Sequence, residues 1–227
     1  ARPLAPSMDT CGWFARDAAI LAKVGGVLLR GRAAAHGFDR LLRADDAFAL
    51  ADHGVAAALA PSVAHIESLL GTAVPCRLAE DDLLVWADRF RVLQGFEVQA
   101  TYGDYLRRER PTLGPGIGER FAWALALTQE EVAPLHPLRE AFTERLEALL
   151  ANDGLLALPS MPCIAPARGA PAEAMNAFRR RALALLCGAG LAGLPQISLP
   201  LGTLEIETMH LPGHTPADVA YRVGDAV

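Results

Sequence analysis

A short apolar run at 155–158 is cut off by Pro159, Pro162 and Pro166, then followed by a helical pattern and a second short apolar run at 196–199. No other feature constrains the fold as much. Apolar tetrapeptides bounded by breakers read as strands buried on both faces, whereas the residues between them repeat every three to four positions. Met175, Phe178, Ala182 and Leu185 share one face of a helix over about 172–187, and Arg179, Arg180 and Arg181 lie around the other, a pattern that reads as a solvated face. Strand, helix and strand in this order predict a right-handed crossover onto a parallel sheet. The small residues Gly188, Ala189, Gly190, Ala192 and Gly193 are expected to let the helix end approach that sheet closely. The fold class is therefore α/β.

Most of the remaining sequence is helical. Ser7, Asp9 and Thr10 can each cap a helix starting near Trp13, which Gly25-Gly26 or Gly31 would close. Residues 39–50 read as a strand, an Asp-rich turn and a helix. Pro61 is expected to separate a helix over 47–59 from another over 63–70. Residues 72–77 form a connection or a strand. From Glu80 to Tyr105 the positions Leu83, Trp86, Phe90, Leu93 and Glu97 recur at helical spacing and predict the longest helix. A further helix runs to about Leu127. Leu138, Phe142, Leu146 and Leu149 mark the next, with Asn152-Asp153-Gly154 as its left-handed terminator. Residues 205–210 and 219–223 read as two short strands joined by a loop.

Composition narrows the function classes. A net charge of -5 offers no broad cationic surface for phosphates, so nucleic acid is not expected as a partner. No apolar run has membrane-spanning length and the first residues lack a basic segment followed by an apolar one, so no membrane partner and a cytoplasmic location are expected. Cys11, Cys76, Cys163 and Cys187 are scattered without ligand spacing and read as free thiols in a reducing compartment. Lys23 is the one lysine, and no two of Ser7, Ser62, Ser68, Ser160 and Ser198 share a Gly-rich loop. Ser7 reads as a cap or turn former. Ser160, Met161 and Cys163 follow a strand end, where ligands approach α/β sheets, and are the candidate substrate pocket; a plain connecting loop is the equal alternative.

Two separated strings carry a resemblance. Pro6-Ser7-Met8-Asp9-Thr10 with Gly12 and Arg16-Asp17, and 189–195 (AGLAGLP) followed by Pro200-Leu201-Gly202, resemble landmarks of the amidase signature hydrolases, in the right order and at about the right distance. Gly114-Pro115-Gly116 and the helix over 178–186 are similar to the indoleacetamide-hydrolase-like branch. The resemblance implies a partial amidase-signature fold, a mixed sheet flanked by helices, over residues 1–203. It also implies hydrolysis of a carboxamide C–N bond, with a small-molecule amide as substrate and no cofactor. That chemistry uses a nucleophilic serine, a bridging serine and a buried neutral lysine, with backbone N–H groups of a Gly-rich loop holding the oxyanion. In the family this loop precedes the segment resembling 6–17, so the catalytic part is expected to be missing and the chain inactive as it stands. Unpaired sheet edges would then favour self-association.

From His210 onward the sequence resembles instead a fragment of a metallo-β-lactamase-fold hydrolase, through Leu211-Pro212-Gly213-His214-Thr215-Pro216. The resemblance implies that His214 is a metal ligand, yet one imidazole is not a site, the family's His-x-His-x-Asp-His cluster is absent, and Asp225 is a doubtful substitute. The expected organisation is an amidase-like region at 1–203 and a foreign strand-loop-strand tail at 204–227, with a seam near Thr203. Amidase-type ancestry is the first expectation. A metal-dependent hydrolase fragment and a non-catalytic binding protein are the alternatives.

Overall fold

The computed structural model describes residues 3–10, 12–29, 37–114, 116–151 and 153–199 in full, and the backbone of 206–210 and 219–223. In chain order the elements are α1 (Ala18–Leu28), β1 (Arg40–Ala44), α2 (Asp45–Leu50), α3 (His53–Leu70), β2 (Val74–Cys76), α4 (Leu83–Glu109), α5 (Ile117–Ala126), α6 (Gln129–Val132), α7 (Leu135–Leu150), β3 (Gly154–Ala157), α8 (Ala172–Ala192), β4 (Ile206–His210) and β5 (Val219–Val223). They divide into two compact units, Ala1–Gln196 and Ile197–Val227. The first unit is a helix-rich α/β fold, as expected.

Its sheet has the order β2-β1-β3 and is parallel throughout, with Leu42 opposite Val74 on one side and Leu156 on the other. Leu41, Leu42 and Ala44 of the central strand are buried, and Ala44 joins the main apolar cluster. Helix α4, the longest, contributes Leu83, Trp86, Phe90 and Leu93 at the expected spacing. These meet Phe142 and Leu146 of α7 and Leu185 and Leu191 of α8 in one apolar cluster. Trp86 stacks on Phe142 with ring centroids 4.3 Å apart. Three long helices bury more apolar area per residue than strands of three to five residues can, and so they hold the centre of the unit.

Several expectations are overturned. Residues 194–199 form no strand: they are irregular, and Ile197 and Leu199 are 57% and 63% exposed. Pro195 removes a backbone donor at the start of the run and Ser198 interrupts its apolar pattern, which leaves a poor candidate for a ladder. The crossover onto a parallel sheet therefore belongs to β1, β2 and β3. The small residues at the end of α8 admit the segment after β2 and two helices, α7 and α4, rather than a strand. A Cβ added at Gly188 would stand 3.5 Å from Leu78 Cδ2 and 3.7 Å from Phe142, and one at Gly190 would stand 3.4 Å from Phe90.

Other boundaries shift for local reasons. Helix α3 runs through Pro61 unbroken; it buries none of its residues, so water can reach the carbonyl that the missing amide leaves free. The break falls instead at the extended Ala51. Helix α1 starts at Ala18, where the Asp17 side chain accepts from the Ile20 amide at 2.8 Å, and it passes through Gly25-Gly26. The left-handed residue ending α7 is Ala151, at φ 47°, rather than the glycine after it; Asn152 lies outside the described residues. Gly154 instead opens β3, where an added Cβ would sit 2.5 Å from the Leu150 carbonyl oxygen. Backbone cannot yield as a side chain can. Gly154→Ala is expected to cost on the order of 1–3 kcal/mol, read as a lower urea midpoint at unchanged slope; an unchanged midpoint would refute the clash.

In the second unit β4 and β5 pair antiparallel, with Ile206 opposite Val223 and His210 opposite Val219. This is the expected strand-loop-strand. Its loop, with His214, and Asp225 lie outside the described residues.

Candidate functional site

Parallel strands place their carboxyl ends on one side, and ligands of such sheets bind there, beside the point where successive connections leave in opposite directions. In the order β2-β1-β3 the chain passes from β1 to one neighbour and then across to the other, so that point lies between β1 and β3. From β1 the chain enters α2; from β3 it enters the Pro-rich loop at 158–171. The Asp52 amide donates to the Pro162 carbonyl at 2.7 Å. Arg181 of α8 completes the joint by donating to the Leu50 carbonyl at 2.7 Å, the Asp52 carboxylate at 2.6 Å and the Pro162 carbonyl at 3.4 Å. Pro159 and Pro162 are fully buried and anchor the loop.

On that anchored base stand the three residues singled out in the sequence. Ser160 and Cys163 are half-buried, Met161 is 44% exposed, and Ile164 projects beyond them. The loop is thus a fixed rim with apolar tips, and the structure brings all three candidates to the carboxyl edge of the sheet. Arg181 corrects the solvated-face reading, whereas Arg179 and Arg180 are exposed as expected. Arg180 forms a two-pronged pair with Asp88, at 3.2 and 2.6 Å, and this hydrogen bonding raises its pKa further.

Beside the β1/β2 ends lies an open groove of about 480 Å³ lined by Asp46, Leu50, Arg77, Glu80, Asp81 and Asp82, among others. Its carboxylates are committed to the fold. Asp46 accepts from the Leu78, Ala79 and Ala47 amides at 2.9, 3.1 and 3.0 Å, and Asp82 caps α4 through the Leu84 amide at 2.8 Å. Asp81 accepts from the Trp86 indole and pairs with Arg89, while Glu80 pairs with Arg145.

The two sequence strings at 6–10 and 189–195 meet through a residue that sequence reading passed over. Arg139 of α7 donates to the Ser7 hydroxyl at 2.7 Å and the Ser7 carbonyl at 3.1 Å, and its Nε donates to the Leu191 carbonyl at 2.8 Å. Ser7 in turn donates its amide to Glu97 at 2.8 Å and its hydroxyl to the same carboxylate. Asp9 closes the turn by accepting from the Leu4 and Ala5 amides, which sets Ala5 and Met8 into the core. This is a clamp. Ser7 is thereby held as a structural contact, and the signal for Arg139 was a cation within the stripe of an otherwise ordinary helix.

Lys23 is exposed on α1, and the five serines fall on separate segments except Ser62 and Ser68, which share α3. Cys76 and Cys163 are half-buried free thiols and Cys187 is buried. Burial pushes the Cys187 thiol up to about 12, and burial followed by Asp46 and Asp45 raises that of Cys76. A thiol reagent at pH 8 is therefore expected to modify Cys163 and spare Cys187; equal rates would show that α8 opens readily. The sign of the stability effect follows. Below about pH 9 Cys187 is protonated folded or unfolded, and from 9 to 12 only the unfolded chain releases the proton, so stability falls across that window. Cys187→Ala should flatten this alkaline limb in urea titrations.

Among the described residues no group of three or more His, Cys, Asp or Glu is placed to hold a metal ion. Among them, too, no helix is long and apolar enough to cross a membrane.

No protein-family model matches the chain. Among curated proteins it is 31% identical to "Amidase 1" of Arabidopsis thaliana over 89% of its own length and 55% of that protein's. It is 30% identical to "Amidase 1" of Oryza sativa subsp. japonica, over 88% of the chain and 52% of the relative. A third relative, "Outer envelope protein 64, chloroplastic" of Arabidopsis thaliana, is 29% identical over 89% of the chain and 39% of the relative. The chain thus has amidase relatives and an amidase-type ancestry, and it spans about half the length of the Amidase 1 proteins it matches.

Proposed function

We propose that residues 1–203 are the part of an amidase-type hydrolase that builds its core and the substrate-side rim, acting on the C–N bond of a small carboxamide. The observation that carries this reading is the clamp at Arg139, which joins the two resembling strings, 6–10 and 189–195, in one place. In the reaction a serine oxygen attacks the amide carbonyl carbon, its proton passes through a second serine to a lysine, and the amine leaves with a proton. Water then cleaves the acyl-enzyme to the carboxylic acid. This chain's described residues supply no such serine pair, and Lys23 stands exposed where the lysine must be buried. The contribution of the chain is binding. Met161 and Ile164 offer apolar surface to the acyl group, and Ser160 offers a hydroxyl to orient it.

The tail at 204–227 is proposed as a separate segment. The compact units divide at Ile197, close to that seam. A cytoplasmic location goes with this reading; the outer-envelope relatives make an organelle surface the alternative, which fractionation of expressing cells decides. The test is a single-chain fusion of residues 1–202 to the part of Arabidopsis Amidase 1 lying outside its match. It should hydrolyse arylacetamides, and Met161→Ser should raise KM several-fold with kcat little changed. A folded but inactive fusion would sink the reading.

A further inference from the structure

The loop that carries Ser160, Met161 and Cys163 is tied to its neighbour at Pro162, whose carbonyl accepts the Asp52 amide at 2.7 Å. Asp52 itself stands on a bend. Ala51 before it is extended, at φ -79° and ψ 150°, and Asp52 precedes α3, a helix that buries none of its residues. The Asp52 side chain makes no capping hydrogen bond to α3. Its carboxylate turns to Arg181, whose Nη2 donates to it at 2.6 Å and to the Leu50 carbonyl at 2.7 Å, while Nε reaches the same carbonyl at 3.2 Å. That Nη2 carries two protons, so its 3.4 Å approach to the Pro162 carbonyl is the weakest of its contacts. Arg181 therefore acts on the loop chiefly through Asp52.

We propose that Arg181 is a positioning residue for substrate: through Asp52 it fixes Pro162, and with it the placement of Ser160 and Met161 against the acyl group of a carboxamide. The inference rests on the proposed amidase reading. An arginine suits this place because its flat fork serves a carbonyl and a carboxylate at once, whereas a lysine would bring a single point charge. The Arg181 side chain is 30% exposed and that of Asp52 54%, so their ion pair orients more than it stabilises. Pro159 and Pro162 bury the base of the loop whatever Arg181 does. Loss of the guanidinium is therefore expected to loosen the rim without opening the core, and a displacement of about 1 Å in groups that orient a substrate is enough to weaken its productive binding.

Amide hydrogen exchange of the 227-residue chain reads the tether directly. The Asp52 amide is expected to exchange at least ~tenfold faster in Arg181→Ala, while the amides of Phe90 and Leu93 in the core keep their rates. Arg180→Ala, which removes the neighbouring guanidinium of the same helix, should leave exchange at Asp52 unchanged. Substrate is read in the single-chain fusion with arylacetamides: Arg181→Ala should raise KM at least ~fivefold with kcat within about twofold, and Arg181→Lys should restore only part of the loss. Should Arg181→Ala not fold, Asp52→Ala cuts the same link from the other side, keeps a backbone amide at position 52 to report, and is expected to give both effects. Exchange at position 52 that ignores both substitutions, or that rises in step with Phe90 and Leu93, would overturn the proposal. So would an active fusion in which the loss falls on kcat and not on KM. A parent fusion without activity removes the amidase reading and this inference together, whereas an active parent whose KM ignores Arg181→Ala removes the inference alone.

Discussion

Incubated with an arylacetamide, the 227-residue chain is expected to release no ammonia above the uncatalysed background. Amide hydrolysis needs an activated nucleophile and a place for the developing oxyanion, and each commonly contributes at least ~100-fold in rate. The described residues offer neither. Ser7 is locked between Glu97 and Arg139, with its hydroxyl donating to one and accepting from the other. Ser160 stands on the rim, and Lys23 is exposed on α1. Together the missing terms amount to at least ~10⁴ in rate, so the fusion and the isolated chain should differ by no less. Hydrolysis by the isolated chain that vanishes in Ser160→Ala would sink this prediction and place a nucleophile on the rim.

How far the sequence disclosed this structure depended on what each residue had to satisfy. The stripe Leu83, Trp86, Phe90, Leu93 was legible because burial repeats with the helix itself; β1 and β3 were legible as short apolar runs beside turn residues, whereas of the face expected on α8 only Leu185 reaches the core, which takes Ala184, Cys187 and Leu191 instead of Met175, Phe178 and Ala182. The rim at Ser160, Met161 and Cys163 was legible from its place after a strand. What stayed hidden was pairing over distance. Nothing local distinguishes Arg181, which joins three loop groups, from its neighbour Arg179, or tells that Asp46 receives amides more than thirty residues away. The failed strand at 196–199 is the same lesson reversed: an apolar tetrapeptide is a strand when a neighbour offers a ladder, and its own residues do not say whether one does. Pro61 misled because a propensity learned from helix interiors was applied to a helix whose outer side meets water.

Asp46→Ala is expected to be the most destabilising of the substitutions considered, by about 3–5 kcal/mol. The carboxylate sits in the first turn of α2, where its charge is favoured by the helix dipole. It also accepts the amides of Leu78 and Ala79, both in buried residues, and so ties the exit from β2 to the exit from β1. Removing an acceptor strands each buried donor at roughly 1–3 kcal/mol, which exceeds what the hydrogen bond itself adds to stability. Asp46→Asn separates charge from acceptor. It retains one oxygen for the Leu78 and Ala47 amides and loses the partner of Ala79, so its cost should be about a third of that for alanine. The two denaturation midpoints, measured at equal slope, test this ordering. Alanine within about 0.5 kcal/mol of the parent would show that water replaces the carboxylate, and that the segment 77–82 is held by Arg145 and Arg89 instead.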